Sequence, residues 1–266
     1  MELDIVLAGL LVGFMGVEDR NIPLQIAAGM SLLLSAYGFM LPHTPPKPSN
    51  GPHSIGQMLG FDAFSLLKNR SFLVLFIASV LVSIPLAFYY NFTNLYLNEI
   101  GMENAAGKMT MGQGSEVLFM LLMPLLVRRL GVKWMISVGM AAWALRYVLF
   151  AYGDVSPAAI WMLYAGIVLH GICFDFFFVT GQIYANSKAP ESLKNSVQGI
   201  MTLGTYGVGM FVGSLVSGAI VSHYTAVDGA HAWKSIWLIP AAMAVVVLVL
   251  FVLTFKDDRQ QSVRPD

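Results

Sequence analysis

The stretch PAAIWMLYAGIVLHGICFDFFFVTGQIY, residues 157–184, decides the fold class of this chain. It is too long and too apolar for an ordinary core helix, and about 20 apolar residues suffice to cross the hydrocarbon core of a bilayer. Two ionisable residues, His170 and Asp175, nevertheless lie in its middle. Such residues are rare in lipid, where they usually line a pathway or pair with another charge. The stretch therefore predicts a membrane span that contributes to a polar site.

The composition of the whole chain also indicates a membrane protein. Of 266 residues, 57% are hydrophobic and only 11% are charged, whereas soluble domains carry about 25% charge. The net charge is zero, so no basic face is expected to bind nucleic acid. The single cysteine, Cys173, excludes an intrachain disulfide framework and a zinc cluster. HExxH, P-loop and GxSxG motifs are absent from the sequence, so we predict no catalytic residue, no metal site and no enzyme.

Apolar segments and turn signals predict the order of the spans. A partial span at residues 5–17 and a second span at 22–41 come first. A linker rich in proline follows, and then a short amphipathic surface helix, GFDAFSLLKNR. Six further spans are predicted at residues 71–97, 109–127, 134–152, 157–184, 197–223 and 236–255. The predicted divisions are two helices at 1–42, a linker with a surface helix at 43–70, a six-helix bundle at 71–256 and a tail at 257–266.

The basic residues predict the orientation of the bundle. If the linker is cytoplasmic, most lysines and arginines fall on the cytoplasmic side, and only Arg20, Lys108 and Lys234 fall opposite. This asymmetry follows the positive-inside rule, and with six spans after the linker it places the C-terminus in the cytoplasm. Trp161, Trp233 and Trp237 lie near the predicted outer ends, where aromatic side chains are favoured at the membrane interface.

Four ionisable residues lie near the middle of three successive spans: Glu116, Arg146, His170 and Asp175. Helices that are adjacent in sequence tend to be adjacent in space. We therefore expect these four side chains to share one polar interior.

Polar and aromatic residues surround this predicted interior. Gln113 lies one helical turn before Glu116, and Phe174 lies one turn after His170. Tyr90 comes from the aromatic and amide-rich run YYNFTN on the third span. Amide, carboxylate, imidazole and aromatic groups suit a flat polar solute, which needs hydrogen bonds at its edges and stacking on its face.

The charged residues allow more than one interpretation. Arg146 and Asp175 form either a structural ion pair that orders two helices or part of the functional site. A carboxylate in an apolar wall can take and release a proton near neutral pH, which favours a functional role for Glu116. Asp175 has the same chemistry unless Arg146 neutralises it. His170 is either a substrate contact or a polar side chain satisfied by a backbone carbonyl.

Several segments resemble the nucleoside:proton symporters of the major facilitator superfamily, the bacterial nucleoside permeases. The similarity extends over about residues 22–256 and is carried by LPHTPP, LGFDAFSLLKN, GQGSEVLF, LRYVLFAYGD, HGICFDFFFVTGQ and SVQG. The resemblance implies a fold of two six-helix bundles with alternating access around a central site. The expected fold is thus an all-α polytopic membrane protein. Residues 71–256 would be the C-terminal bundle, and residues 1–42 the last one to two helices of the N-terminal bundle.

The resemblance also implies a function, which is proton-coupled import of nucleosides across the bacterial cytoplasmic (inner) membrane. The proton gradient would be the driving force, and no cofactor is expected. Gln113 and Glu116 would contact the nucleoside, and His170 and Phe174 would line its base or ribose. Asp175 would be the coupling carboxylate, a role that Glu116 also suits.

This sequence departs from the family pattern at several positions. His170 stands where a tyrosine is familiar, and Ala87 and Tyr90 stand where an amide pair is familiar. About four helices of such a transporter are not in the chain, so a missing N-terminal half is a candidate partner beside the nucleoside, protons and lipid. The alternatives are a transporter of another small polar solute, such as a sugar, and a non-transporting fragment or assembly partner.

Overall fold

The protein is almost entirely helical in a computed structural model, which describes residues 2–17, 20–43 and 60–256. A short 3₁₀ helix, Phe61–Lys68, occupies the position predicted for the surface helix. Most of the predicted linker and the whole predicted tail lie outside the described residues. The long helices are α1 (Glu2–Met15), α2 (Ile22–Gly38), α3 (Arg70–Glu99), α4 (Ala105–Tyr152), α5 (Ile160–Lys188), α6 (Glu191–His223) and α7 (Trp233–Thr254).

Six long helical segments follow the 3₁₀ helix. By length and composition, α3, α5, α6 and α7 can each span a membrane. Helix α4 supplies the other two segments, because Gly131 interrupts it with φ 72° and ψ 167°, a conformation that only glycine adopts readily. Its first arm (105–130) is about 39 Å long and its second arm (132–152) about 31 Å, at about 1.5 Å per residue. A hydrocarbon core is about 30 Å thick, so both arms are long enough to cross it.

The segments pack into one bundle in which α4 is central. Helix α4 contacts α5, α7 and α1, and α3 packs against α6 and α7. Glycines allow α3 and α6 to approach closely. A Cβ atom at Gly209 would lie 2.6 Å from the Cβ of Ser83, and one at Gly213 would lie 2.7 Å from the Cβ of Ala87. Small residues at this four-residue spacing let membrane helices pack backbone to backbone.

The tryptophans predicted near the outer ends of the spans differ in how deeply they are buried. Trp161 is 55% exposed, but Trp233 and Trp237 are 9% and 0% exposed. The aromatic core explains the difference, because Tyr147 stacks on Trp237 with ring centroids 5.8 Å apart. The Trp233 ring also packs against Tyr96, at 5.2 Å. These two tryptophans therefore hold α7 to α3 and α4 inside the bundle.

A buried hydrogen bond joins α3 to the second arm of α4. The hydroxyl of Tyr147 donates to the backbone carbonyl of Pro85, at 2.6 Å. Pro85 lies inside α3, where proline has no N–H and disturbs the helical hydrogen-bond pattern. This contact fixes the two helices beside the polar interior.

Candidate functional site

A chain of three buried polar side chains lies at the centre of the bundle. His170 Nε2 is 2.6 Å from Glu116 Oε1, and Arg146 Nη1 is 2.7 Å from His170 Nδ1. Glu116, His170 and Arg146 are 3%, 2% and 1% exposed. We call this arrangement the Glu116–His170–Arg146 relay. A buried charge is costly unless it is paired, and the relay gives the carboxylate and the guanidinium a common polar partner.

Close packing of two helices makes the first of these contacts short. Gly171 of α5 lies against the first arm of α4, where a Cβ atom would be 2.5 Å from the carbonyl carbon of Ser115. The hydroxyl of Ser115 accepts a hydrogen bond from the backbone N–H of Gly171, at 3.0 Å. Gly112 meets α5 one turn earlier, where its Cβ would be 3.1 Å from the Cβ of His170. The small residues Gly112, Ser115 and Gly171 thus place His170 directly against Glu116.

Arg146 is held by an aromatic ring as well as by the imidazole. Its guanidinium carbon lies 3.5 Å from the ring centroid of Tyr89, a cation–π geometry that stabilises a buried cation. Tyr89 in turn stacks on His170, with centroids 5.1 Å apart and an interplanar angle of 25°. Among the residues that the structure describes, no hydrogen-bond partner reaches Arg146 Nε or Nη2.

Aromatic rings continue from this centre to the surface that carries Tyr90 and Tyr206, which we call the open face of the bundle. Successive ring centroids lie 5.1–6.4 Å apart across α3, α5 and α6. The two end rings, Tyr90 and Tyr206, are 48% and 46% exposed. We call this series the aromatic ladder; its members are Tyr90, Tyr89, His170, Phe174, Phe178 and Tyr206.

The predicted site residues fall into an open group and a buried group. Tyr90 is exposed, and Gln113 and Phe174 are half-buried. Glu116 and His170 are buried behind them and contact each other. The arrangement can stack a flat solute on the ladder and offer it an amide, with a carboxylate one layer deeper. The roles assigned to these residues from the sequence stay predictions.

Asp175 occupies an unusual stretch of helix. It is fully buried and begins a π-helical turn, Asp175–Val179, inside α5. Its backbone carbonyl accepts a hydrogen bond from the hydroxyl of Thr180, at 3.3 Å. Single π turns inside α-helices are frequent at functional sites. The ion pair between Arg146 and Asp175 stays a prediction.

Sequence reasoning missed two features of this centre. The contact between Arg146 and His170 depends on how two helices are rotated, and spacing within one helix does not reveal that rotation. Tyr206 lies in the glycine-rich run LGTYGVG, which forms a second π turn, Leu203–Gly209. The glycines around Tyr206 predicted helix packing alone. A tyrosine among them could have marked the segment as a candidate part of the site.

A cavity whose wall includes four asparagines lies toward one end of the bundle. It has a volume of about 630 Å³ between α1, α3 and the start of α4. Asn91 on its wall donates to the hydroxyl of Ser214, at 3.2 Å. The residues lining the cavity are Gly13, Gly16, Asn91, Asn94, Leu95, Asn98 and Asn104. Groups of three or more metal-ligating side chains do not occur in the described part of the chain.

Comparison with known proteins places this geometry in a family. The model of the family described as nucleoside H+ symporter matches residues 3–260. A putative nucleoside transporter of Escherichia coli, YegT, is 41% identical over 93% of this chain and 59% of its own length. The nucleoside permease NupG of the same organism is 32% identical over 94% of the chain and 62% of its own length. The chain therefore spans about three fifths of the length of these relatives.

Solved structures agree with the sequence comparison. A crystal structure of a point mutant of the nucleoside transporter NupG superimposes with a TM-score of 0.87 and 31% identity. It covers 96% of this chain, which in turn covers 66% of that structure.

The predicted fold class is confirmed: this is an all-α polytopic membrane protein with a six-helix bundle of the major facilitator type. The relatives are named as transporters and permeases, in agreement with the prediction that the protein is not an enzyme. The chain belongs to the nucleoside H+ symporter family.

Proposed function

We propose that this protein carries a nucleoside together with a proton across the bacterial cytoplasmic membrane by alternating access. The proposal rests on the position of Glu116. Its carboxylate is buried at the centre of a membrane bundle and lies 2.6 Å from His170 Nε2. A carboxylate in such a place can be neutralised reversibly by one proton, and coupled transport needs a group of this kind. Family membership and the nucleoside-transporter names of the relatives support the choice of cargo.

The open face of the bundle supports binding of a planar, polar solute. In our proposal the nucleoside base stacks on Phe174 and Tyr90, and Gln113 forms hydrogen bonds with its edge. Phe174 also stacks on His170, with centroids 6.0 Å apart. A solute on Phe174 therefore lies one ring away from the Glu116–His170 pair, and substrate binding and the proton site share the same aromatic wall.

Glu116 supplies the coupling step in this mechanism. It takes a proton on the side of the membrane where the pH is lower, and it releases that proton after the bundle has opened to the other side. Asp175 is the second proposed coupling carboxylate. The driving force is the proton gradient, and we propose no cofactor. The excess of basic residues on the linker side supports a cytoplasmic C-terminus.

Uptake into proteoliposomes tests the proposal. With an inward proton gradient, uridine uptake should be lost in Glu116→Gln and in Asp175→Asn. Glu191→Gln is the matched control, because the side chain of Glu191 is 90% exposed and pairs with Lys194 on the surface. Uptake at the wild-type rate in both buried variants would refute the assigned roles.

Competition by unlabelled solutes tests the cargo. A panel of purine and pyrimidine nucleosides should reduce wild-type uptake of uridine, and a panel of sugars should not. If the protein instead takes up a labelled sugar and no nucleoside reduces that uptake, the protein is a transporter of another polar solute.

A further inference from the structure

We propose that Arg146 is a positioning residue that holds His170 as the neutral imidazole protonated on Nε2. Glu116, and not the histidine, then carries the transported proton. The first part of this inference rests only on geometry. The second part rests on the proposed function.

The tautomer follows from the chemistry of the two contacts. Every nitrogen of a guanidinium is a donor, and arginine stays charged in proteins. Arg146 Nη1 lies 2.7 Å from His170 Nδ1, so Nδ1 must accept the hydrogen bond. The single ring proton of the neutral imidazole is therefore on Nε2, where it is donated to Glu116 Oε1 at 2.6 Å.

The same geometry opposes protonation of the ring. A second proton would have to sit on Nδ1, which faces a guanidinium N–H at hydrogen-bond distance. Two donors and two positive charges would then oppose each other in a site of low dielectric constant. An unperturbed histidine gains its charge between pH 5 and 8, but His170 is held neutral through this range. Glu116 is left as the member of the relay that gains and loses a proton.

Other titratable groups surround His170 on each helix packed against it. The ring of Tyr89 stacks on the imidazole and also faces the guanidinium of Arg146. The groups are Tyr89 and Tyr90 on α3, Glu116, Arg146 and Tyr147 on α4, and Cys173 and Asp175 on α5 itself. Only Glu116 and Asp175 of this set are acids strong enough to be charged at neutral pH, and the carboxylate hydrogen-bonded to Nε2 is that of Glu116.

A histidine at position 170 bridges its two partners differently from a tyrosine. A phenolic hydroxyl would have to donate and accept through one oxygen atom, whereas the imidazole donates and accepts through two separate ring nitrogens. The imidazole connects Arg146 to Glu116 through two nitrogen atoms. It keeps the carboxylate and the guanidinium in one relay while leaving the carboxylate free to titrate.

Nitrogen-15 NMR of histidine-labelled protein in lipid tests the tautomer directly. The chain has five histidines, and the signals of His170 are assigned by their loss in His170→Gln. From pH 8 to pH 5 they should remain those of a neutral ring protonated on Nε2. An imidazolium signal of His170 at pH 6, or a ring protonated on Nδ1, would overturn the proposal.

Variants at position 146 separate positioning from a purely structural role. In Arg146→Met the donor to Nδ1 is gone, so His170 beside Glu116 should become imidazolium at pH 6. Arg146→Lys retains a cationic donor and should restore the neutral ring. Arg129→Met, an exposed change on the same helix, is the control. A wild-type spectrum in Arg146→Met would contradict the inference.

The NMR spectra stay informative if a variant does not fold or if the protein does not transport nucleosides. The pH titration of the wild-type protein decides the tautomer even if Arg146→Met does not fold. The spectra require no transport, so they separate failure of this inference from failure of the proposed function. If the spectra agree but Glu116→Gln still transports protons, the tautomer stands and Glu116 is not the proton carrier.

Discussion

Replacing Gly171 with alanine should force α5 away from the first arm of α4 and break the contact between Glu116 and His170. A Cβ atom at position 171 would lie 2.5 Å from the carbonyl carbon of Ser115 and 2.6 Å from the backbone nitrogen of Glu116. Both are backbone atoms of a helix, so the clash cannot be relieved by rotating a side chain. Carbon atoms in contact lie about 3.5 Å apart or more, which requires the helices to separate by about 1 Å.

The energetic consequence has two parts. Overpacking of a close-packed interior costs about 1–3 kcal/mol. A separation of about 1 Å would also lengthen the 2.6 Å contact between Glu116 and His170 beyond hydrogen-bond distance. A hydrogen bond to a charged group contributes about 1.5–3 kcal/mol. Unfolding of Gly171→Ala should therefore be easier by about 2.5–6 kcal/mol, with a fall in Tm of about 5 °C or more.

Thermal melting of the purified protein in detergent measures this effect. Gly218→Ala is the matched control, because a Cβ atom at that position of α6 meets nothing within 4 Å. This control should keep or slightly raise Tm, since alanine is a better helix former than glycine. If Gly171→Ala melts within about 1 °C of both the wild type and the control, well under the shift that 1 kcal/mol produces, the close helix crossing is wrong.

Two further substitutions test the contacts that hold the bundle around the site. Tyr147→Phe removes the donor to the buried carbonyl of Pro85; we expect a loss of about 1–3 kcal/mol, seen as a lower Tm with no change in the far-ultraviolet circular dichroism. An unchanged Tm would mean that this hydrogen bond is absent or is replaced by water. Glu99→Gln removes the charge that accepts from Trp233 Nε1 at 2.8 Å and pairs with His231. Because this pair is partly exposed, the loss should stay below about 1 kcal/mol, and a fall in Tm as large as that of Tyr147→Phe would contradict the ranking.

The membrane-spanning architecture could be predicted from the sequence because it depends on length and apolar composition. The span predicted at 71–97 is α3, Arg70–Glu99, and the span predicted at 236–255 is α7, Trp233–Thr254. The turn predicted between two further spans is present as the single residue Gly131. Charges, glycines and prolines mark these ends locally, so no knowledge of helix packing was needed.

The interior of the bundle could be predicted only in part. Depth along each helix correctly brought Glu116, Arg146 and His170 to one level, because it follows from the rise per residue. Which of them touch depends on helix rotation and on the close crossing at Gly171, and neither is visible in one sequence. For Trp233, too, the sequence predicts a depth near the end of a span but not the direction in which the side chain points. The two π turns each shift a helix face, and the apolar pattern does not register them.

Proton movement driven by substrate would show directly whether Glu116 couples nucleoside and proton transport. The protein is reconstituted in liposomes that contain a pH-sensitive dye, and a nucleoside is added outside without an imposed gradient. We predict acidification of the lumen with the wild type and with Glu191→Gln, and none with Glu116→Gln. Acidification by Glu116→Gln at the wild-type rate, or wild-type nucleoside uptake without any acidification, would contradict this prediction.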